Sequence, residues 1–272
     1  MHSRTINRSV KRYYRQGRVE EFLDCLVREF PVTLYFNDHE LVTLLCTPEY
    51  LEDLAVGFLV SEGLMRSREE LESVVADYDK GQVWVKSSAA HFIAEKTFLK
   101  RYLTTGCGKG TSFYNLNDVQ SCRPITSGLH VDLGQVLDRI KDLQTNSQLF
   151  QITGGVHSAA LATAEEVILY REDIGRHNAV DKILGYCLRQ GQELAERIML
   201  TSGRLSSEML LKVAKAGIPM VVSRSAPTDL AVELADQLGI TLAGFARGPR
   251  FNVYSHPERI VGLRDGGIGT ET

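Results

Sequence analysis

The chain has 272 residues, 43% of them hydrophobic and 24% charged, enough to bury a full core as one large domain or two smaller ones. Its 31 Lys and Arg against 34 Asp and Glu give a formal charge of -3, so there is no global basic field for nucleic acid, and no apolar run of about 18 residues offers a membrane span. Five cysteines, Cys25, Cys46, Cys107, Cys122 and Cys187, are odd in number, widely spaced and without a C-x-x-C pair, which supports neither a disulfide framework nor a cysteine zinc knuckle. Residues 1–17 are polar and basic with no apolar leader core; an exposed arm and a cytoplasmic location are expected. Residues 18–103 read as a strand-rich N-terminal subdomain. Phe22 to Val27, Val32 to Phe36 and Leu41 to Cys46 are short apolar runs, and Asn37-Asp38 between the last two signals a hairpin. Pro48 opens a predicted helix to about Met65, with Leu51, Leu54, Ala55, Phe58 and Leu59 recurring at three- and four-residue steps. Val74 to Asp79 and Gln82 to Lys86 read as a further strand pair. Cys25 and Cys46 lie inside these runs, where a buried, inert thiol is expected.

The stretch from Thr104 to Tyr114 is different in kind. It sets Cys107 among Gly106, Gly108 and Gly110, which remove the side chains that would screen the sulfur and open backbone angles closed to other residues. A thiolate at neutral pH would need a nearby cation, and Lys109 is a local one. A glycine-rich loop that only happens to hold a cysteine fits the stretch equally well. Residues 104–124 are taken as a cysteine loop and residues 125–272 as an α/β domain.

Leu133, Val136, Leu137, Ile140 and Leu143 trace one face of a helix from about Asp132 to Gln144. From Glu166 the pattern alternates: strand Val167 to Tyr170, helix Asn178 to Arg189, strand Ile198 to Thr201, helix Ser206 to Ala216, strand Ile218 to Ser223, helix Thr228 to Leu238, strand Thr241 to Ala246. Such alternation implies a parallel sheet covered by helices. Ligands of open parallel sheets bind outside the carboxyl ends of the strands. Those ends here carry Glu172 to Asn178, Thr201 to Arg204, Ser223 to Asp229 and Arg247 to Arg250. Each contributes an arginine, whose planar fork suits phosphate and purine edges. An anionic nucleotide or organic cofactor is therefore expected at that edge. His157, after a glycine pair, and His177, opening a helix, are candidates for the same cavity or ordinary structural residues.

Gly106-Cys107-Gly108, the run from Thr153 to Leu161, Glu172 to Lys182, Ser202-Gly203-Arg204, Ser223 to Thr228 and Gly244 to Arg247, taken together and in order, resemble the FdhD family of formate dehydrogenase accessory sulfurtransferases. The resemblance implies a three-layer cytidine-deaminase-like α/β/α core. It also implies a homodimer that takes sulfur from a cysteine desulfurase as a persulfide and passes it to the molybdenum bis(molybdopterin guanine dinucleotide) cofactor before its use by formate dehydrogenase. By position, Cys107 matches the family's persulfide cysteine, and Phe245, Ala246, Arg247, Gly248, Pro249 and Arg250 match its cofactor-binding stretch. No protein-ligated metal, nucleic acid or membrane partner is implied. Many members read Cys-Gly-x-Cys-Gly at the loop, whereas Gly110 stands at the second cysteine position here. One thiol suffices to carry a persulfide, but the departure keeps open a second reading, a cofactor-binding chaperone that carries no sulfur. A zinc deaminase is the weakest alternative, because His157-Ser158-Ala159 lacks the glutamate two residues on and there is no P-C-x-x-C.

Overall fold

The computed structural model describes residues 3–88, 102–103, 122 and 124–262. Strands β1 (Thr5–Tyr13) and β2 (Val19–Val27) open the chain as an antiparallel ribbon. β1 falls in the segment expected to be an arm. Its register sets Arg8 opposite Asp24, Lys11 opposite Glu21 and Arg12 opposite Glu20, and opposite charges facing across strands contribute about 0.2–1 kcal/mol each. β3 (Phe30–Phe36) and β4 (His39–Cys46) form the expected hairpin. Asn37 and Asp38 at its turn both have positive φ, 47° and 67°, a backbone these residues tolerate and one that matches strand twist. Then come α1 (Leu51–Ser61), β5 (Leu71–Asp77), β6 (Gln82–Ser87) and β7 (Tyr102–Leu103). After β8 (Val131–Asp132), α2 (Leu133–Thr145) and a short α3 (Gln148–Thr153) precede β9 (His157–Ala162), β10 (Val167–Asp173) and α4 (Arg176–Gln190). The rest alternates as expected: β11 (Ile198–Thr201), α5 (Ser207–Lys215), β12 (Met220–Ser223), α6 (Asp229–Leu238) and β13 (Thr241–Arg247). It ends in β14 (Arg250–Ser255) and β15 (Ile260–Val261).

These elements form two compact units whose boundaries cut across the expected segments. The first takes in the described residues within 1–113, 146–159 and 170–192. Its five-stranded sheet has the order β5-β6-β3-β4-β7. Val32, Leu34, Phe36, Leu44, Val83 and Val85 of the sheet are buried with Leu51, Leu54, Phe58 and Leu59 of α1, each such side chain contributing about 1.5–3 kcal/mol. α1 is buried on nearly every side, including Asp53, Gly57 and Ser61. It crosses α4 at backbone contact: a Cβ on Gly57 would lie 1.7 Å from the Asp181 carbonyl oxygen, and one on Gly185 would lie 1.8 Å from that of Asp53. Only glycine permits this approach.

Charged groups are buried around the crossing. Lys182 and Asp173 are both 0% exposed, with Nζ 2.6 Å from Oδ2. Lys182 also donates to Thr47 Oγ1 at 2.7 Å, while the Thr47 amide and hydroxyl donate to Asp173 at 3.0 Å. Asp53 pairs with Arg171 and Arg189, and the Arg171 guanidinium lies 3.8 Å from the centre of the Tyr50 ring. Removing one member of such a pair leaves an uncompensated buried charge, which is why these residues come as a set.

The second unit takes in the described residues within 114–145, 160–169 and 193–272. The six-stranded sheet has the order β10-β9-β11-β12-β13-β14, and β9 and β10 each have residues in both units. β11, β12 and β13 are parallel, with β14 antiparallel at the edge. β11 and β12 are buried along their whole length, each three apolar residues followed by Thr201 or Ser223, as strands covered on both faces are. Two successive crossovers between the parallel β11, β12 and β13, right-handed by rule, put α5 and α6 on one face, and α2 packs on the same three strands. The result is the expected three-layer α/β/α arrangement.

Candidate functional site

The carboxyl ends of β11, β12 and β13 lie side by side, with Thr201 paired to Ser223. The segments that follow are tied together. Ser223 Oγ donates to the Gly203 carbonyl at 2.6 Å and accepts from the Ser225 amide at 2.9 Å. The Leu205 amide donates to the Ala226 carbonyl at 3.1 Å, the Thr228 amide returns a bond to Leu205 at 2.9 Å, and the Phe245 amide reaches Ser225 at 3.0 Å. The loops close tightly on Gly244, where a Cβ would meet Pro227 and the Ser225 carbonyl oxygen at 3.0 Å. Ser206 and Thr228 cap α5 and α6 through their side-chain oxygens, so two helix amino ends point to this edge.

All six residues of the expected cofactor stretch are on this edge. A bulge in the β13–β14 pairing falls between Gly244 and Arg247. It holds Phe245, a residue 43% exposed, at a φ of 52°, while Ala246 is buried. An aromatic residue in left-handed backbone is strained, and bulges re-aim side chains in this way. Gly248 and Pro249 make the turn, Gly248 at a φ of 57°, and place Arg247 directly opposite Arg250. Like charges facing across strands destabilise.

Arg247 Nε donates to the Arg224 carbonyl at 2.8 Å, which brings a third guanidinium to the same place. Desolvation, and secondly the charge of Arg247, hold Arg224 below the usual arginine range. With its amide turned so that oxygen faces the guanidinium, Gln144 accepts from Arg224 Nη1 at 2.9 Å and Nη2 at 2.7 Å. Arg204 is exposed on the loop after β11. Among the described residues, none of these four arginines forms an ion pair. The edge is a concentrated positive surface of forked donors suited to phosphate oxygens. Gln144 was not among the expected site residues, since it looks like any polar residue at the end of an amphipathic helix.

Other expectations fall elsewhere. The Glu172 to Asn178 run, expected to share the ligand edge, belongs to the first unit, where Glu172, Asp173 and Asn178 have internal hydrogen-bond partners. Glu172 accepts from the amides of Leu149 and Phe150 at 3.0 and 2.9 Å, opening α3. Asp173 accepts from the Gly175 amide at 2.9 Å and from Asn178 Nδ2 at 2.8 Å. His157 is the first residue of β9 and His177 lies in the first turn of α4. Cys46 and Cys187 are buried as expected, and burial, aided by Asp173 and opposed by Lys182, pushes the Cys46 thiol far up. Cys107 and its loop lie outside the described residues.

A cavity of about 340 Å³ opens at the amino end of β13, lined by Ile125, Ser127, His130, Gly239, His256 and Arg259 among others. Its polar groups serve the fold: Arg259 donates to Thr241 Oγ1 at 3.1 Å and to the Ile125 carbonyl at 3.3 Å, and Ser127 to the Ala195 carbonyl at 2.6 Å. Among the described residues there is no grouping of three His, Cys, Asp or Glu side chains fit for a metal, and no helix long and apolar enough to cross a membrane.

This α/β architecture is similar to that of a formate dehydrogenase accessory protein. A crystal structure from Desulfotalea psychrophila, described as a candidate member of that class, superposes with a TM-score of 0.80 at 27% identity, covering 95% of this chain and 100% of that one. Residues 27–261 match the FdhD/NarQ family. Relatives named sulfur carrier protein FdhD are 45% identical in Bacillus subtilis strain 168 and 44% identical in Geobacillus kaustophilus, each match covering 91% of this chain and 94% of the relative. The chain belongs to the FdhD/NarQ family.

Proposed function

We propose that this chain is a sulfur carrier for formate dehydrogenase that accepts sulfur on Cys107 from a cysteine desulfurase and delivers it to the molybdenum bis(molybdopterin guanine dinucleotide) cofactor held at the arginine edge. The observation that carries the reading is the clustering of Arg224, Arg247 and Arg250 without a carboxylate partner among the described residues. Like charges brought together raise the energy of the folded chain and attract an anion that offsets them, and the pyrophosphates of a guanine dinucleotide would do so. Exposed Phe245 offers a flat face for a base in the same place.

The Cys107 thiolate attacks the outer sulfur of the donor's persulfide. The donor's sulfur–sulfur bond breaks, its cysteine leaves as thiolate, and Cys107 holds the transferred sulfur until the cofactor takes it. Gly110 at the second cysteine position of the family pattern favours one alternative, a chaperone that binds and delivers the cofactor without carrying sulfur. The mass of the intact protein after incubation with desulfurase and cysteine separates the two. The carrier gains one sulfur atom, removable by a thiol reductant and absent from a Cys107→Ser variant. No gain in either protein, with formate dehydrogenase still activated by both, refutes the carrier.

A further inference from the structure

We propose that Gln144 is a positioning residue of the arginine edge, a neutral acceptor that fixes the Arg224 guanidinium without cancelling its charge. This rests on the reading of that edge as the cofactor site. Arg224 is held at three points. Its amide donates to the Thr201 carbonyl at 3.2 Å, its carbonyl accepts from Arg247, and its Nη1 and Nη2 converge on the Gln144 oxygen.

A guanidinium has five N–H donors. One amide oxygen occupies two of them, and the other three have no partner among the described residues. A carboxylate at position 144 would match the fork in both shape and charge and leave a closed salt bridge. The amide matches the shape only. Gln144 sits in the last turn of α2, where the carbonyl end of the helix favours a cation by a fraction of a charge and not by a whole one. The arrangement therefore orders Arg224 in advance and leaves its charge for phosphate, which lowers the ordering cost of binding.

Guanosine diphosphate serves as the probe, titrated by calorimetry into the purified full chain at several salt concentrations. Gln144→Glu should weaken binding about tenfold or more, the effect of closing off one charge-assisted contact, and should flatten the salt dependence. Gln144→Leu, which releases the fork but keeps its charge, should weaken binding by less and keep the wild-type salt dependence. Thermal unfolding of both variants should match wild type. Equal losses in the two variants, or wild-type binding in Gln144→Glu, overturn the role of Gln144 while the site itself stands. If the wild-type chain and an Arg224→Gln variant both fail to bind, the cofactor-edge reading falls and takes this role with it.

Discussion

Replacing Lys182 with methionine keeps the apolar stem of the side chain but deletes an ammonium from a site with no exposure at all. Asp173 would keep four donors: the Thr47 amide and hydroxyl at 3.0 Å, the Gly175 amide at 2.9 Å and Asn178 Nδ2 at 2.8 Å. It would lose its one cationic partner among the described residues, at 2.6 Å. Breaking a buried pair from one side costs about 3–5 kcal/mol. The surviving donors put this case at the lower end, about 3 kcal/mol. Trp84 is the single tryptophan of the chain and lies in β6, stacked on Tyr35 with ring centroids 5.6 Å apart, within the same compact unit. Its fluorescence therefore reports the unfolding of the unit that holds Lys182. With a urea dependence of about 1–3 kcal/mol per molar, the midpoint should fall by roughly 1–3 M. Combining Lys182→Met with Asp173→Asn should cost less than the two single changes added together, by about 1 kcal/mol or more, because each removes the other's orphan. A Lys182→Met midpoint equal to wild type, or strict additivity in the double variant, would refute the assignment of this pair as a coupled element of the core.

Two further outcomes follow from the geometry. Gly57→Ala should destabilise the same unit by about 1–3 kcal/mol or more, since the added carbon would have to push the Asp181 carbonyl back from 1.7 Å; Trp84 fluorescence is again the readout, and a wild-type midpoint would mean the helices are not at backbone contact. His256 has Nδ1 2.8 Å from Glu258 Oε1 and Nε2 3.0 Å from the Asp236 carbonyl. Only the imidazolium donates at both nitrogens, and the bond to Asp236, followed by Glu258, raises its pKa above the ordinary 6.5. A raised folded value stabilises the protein fully below the unfolded value and loses that contribution as pH rises through the folded one. Wild-type thermal midpoints should therefore fall, relative to His256→Gln, as pH increases above 6.5, and parallel curves for the two proteins would contradict the assignment.

Much of this architecture could be read from the residues alone because the physical signals were local. The periodicity of α2 and the short β11 and β12, three apolar residues each before a hydroxyl residue, state their environment directly. What escaped has a reason in each case. α3 has only six residues, too few for a periodic pattern. β9 reads His-Ser-Ala-Ala-Leu-Ala, without the β-branched residues that mark strands. β1 was hidden by its charges, which make sense only once β2 supplies the opposing carboxylates. The site divides in the same way. Arg224 and Arg247 could be picked out by type and by position after a strand, but the partnership of Arg224 with Gln144, eighty positions earlier in the chain, is a product of the tertiary fold. Glu172 and Asp173 show the converse: in a polar run that matched the pattern of a ligand edge, these two carboxylates accept internal hydrogen bonds.

The glycine crossing of α1 and α4 also sets a schedule for the chain as it is made. α1 ends at Ser61, and the helix that covers Gly57 and supplies Lys182 and Arg189 begins only at Arg176. At about 5–20 residues per second, a ribosome needs on the order of ten seconds to add the intervening sequence. Throughout that interval Asp53 has neither of its arginines and α1 has an uncovered face. The amino-terminal half thus cannot finish folding while it emerges, and the growing chain is at its most vulnerable to aggregation and to proteases before residue 190 is made. In a cell short of chaperones, losses should fall on nascent chains rather than on the finished protein.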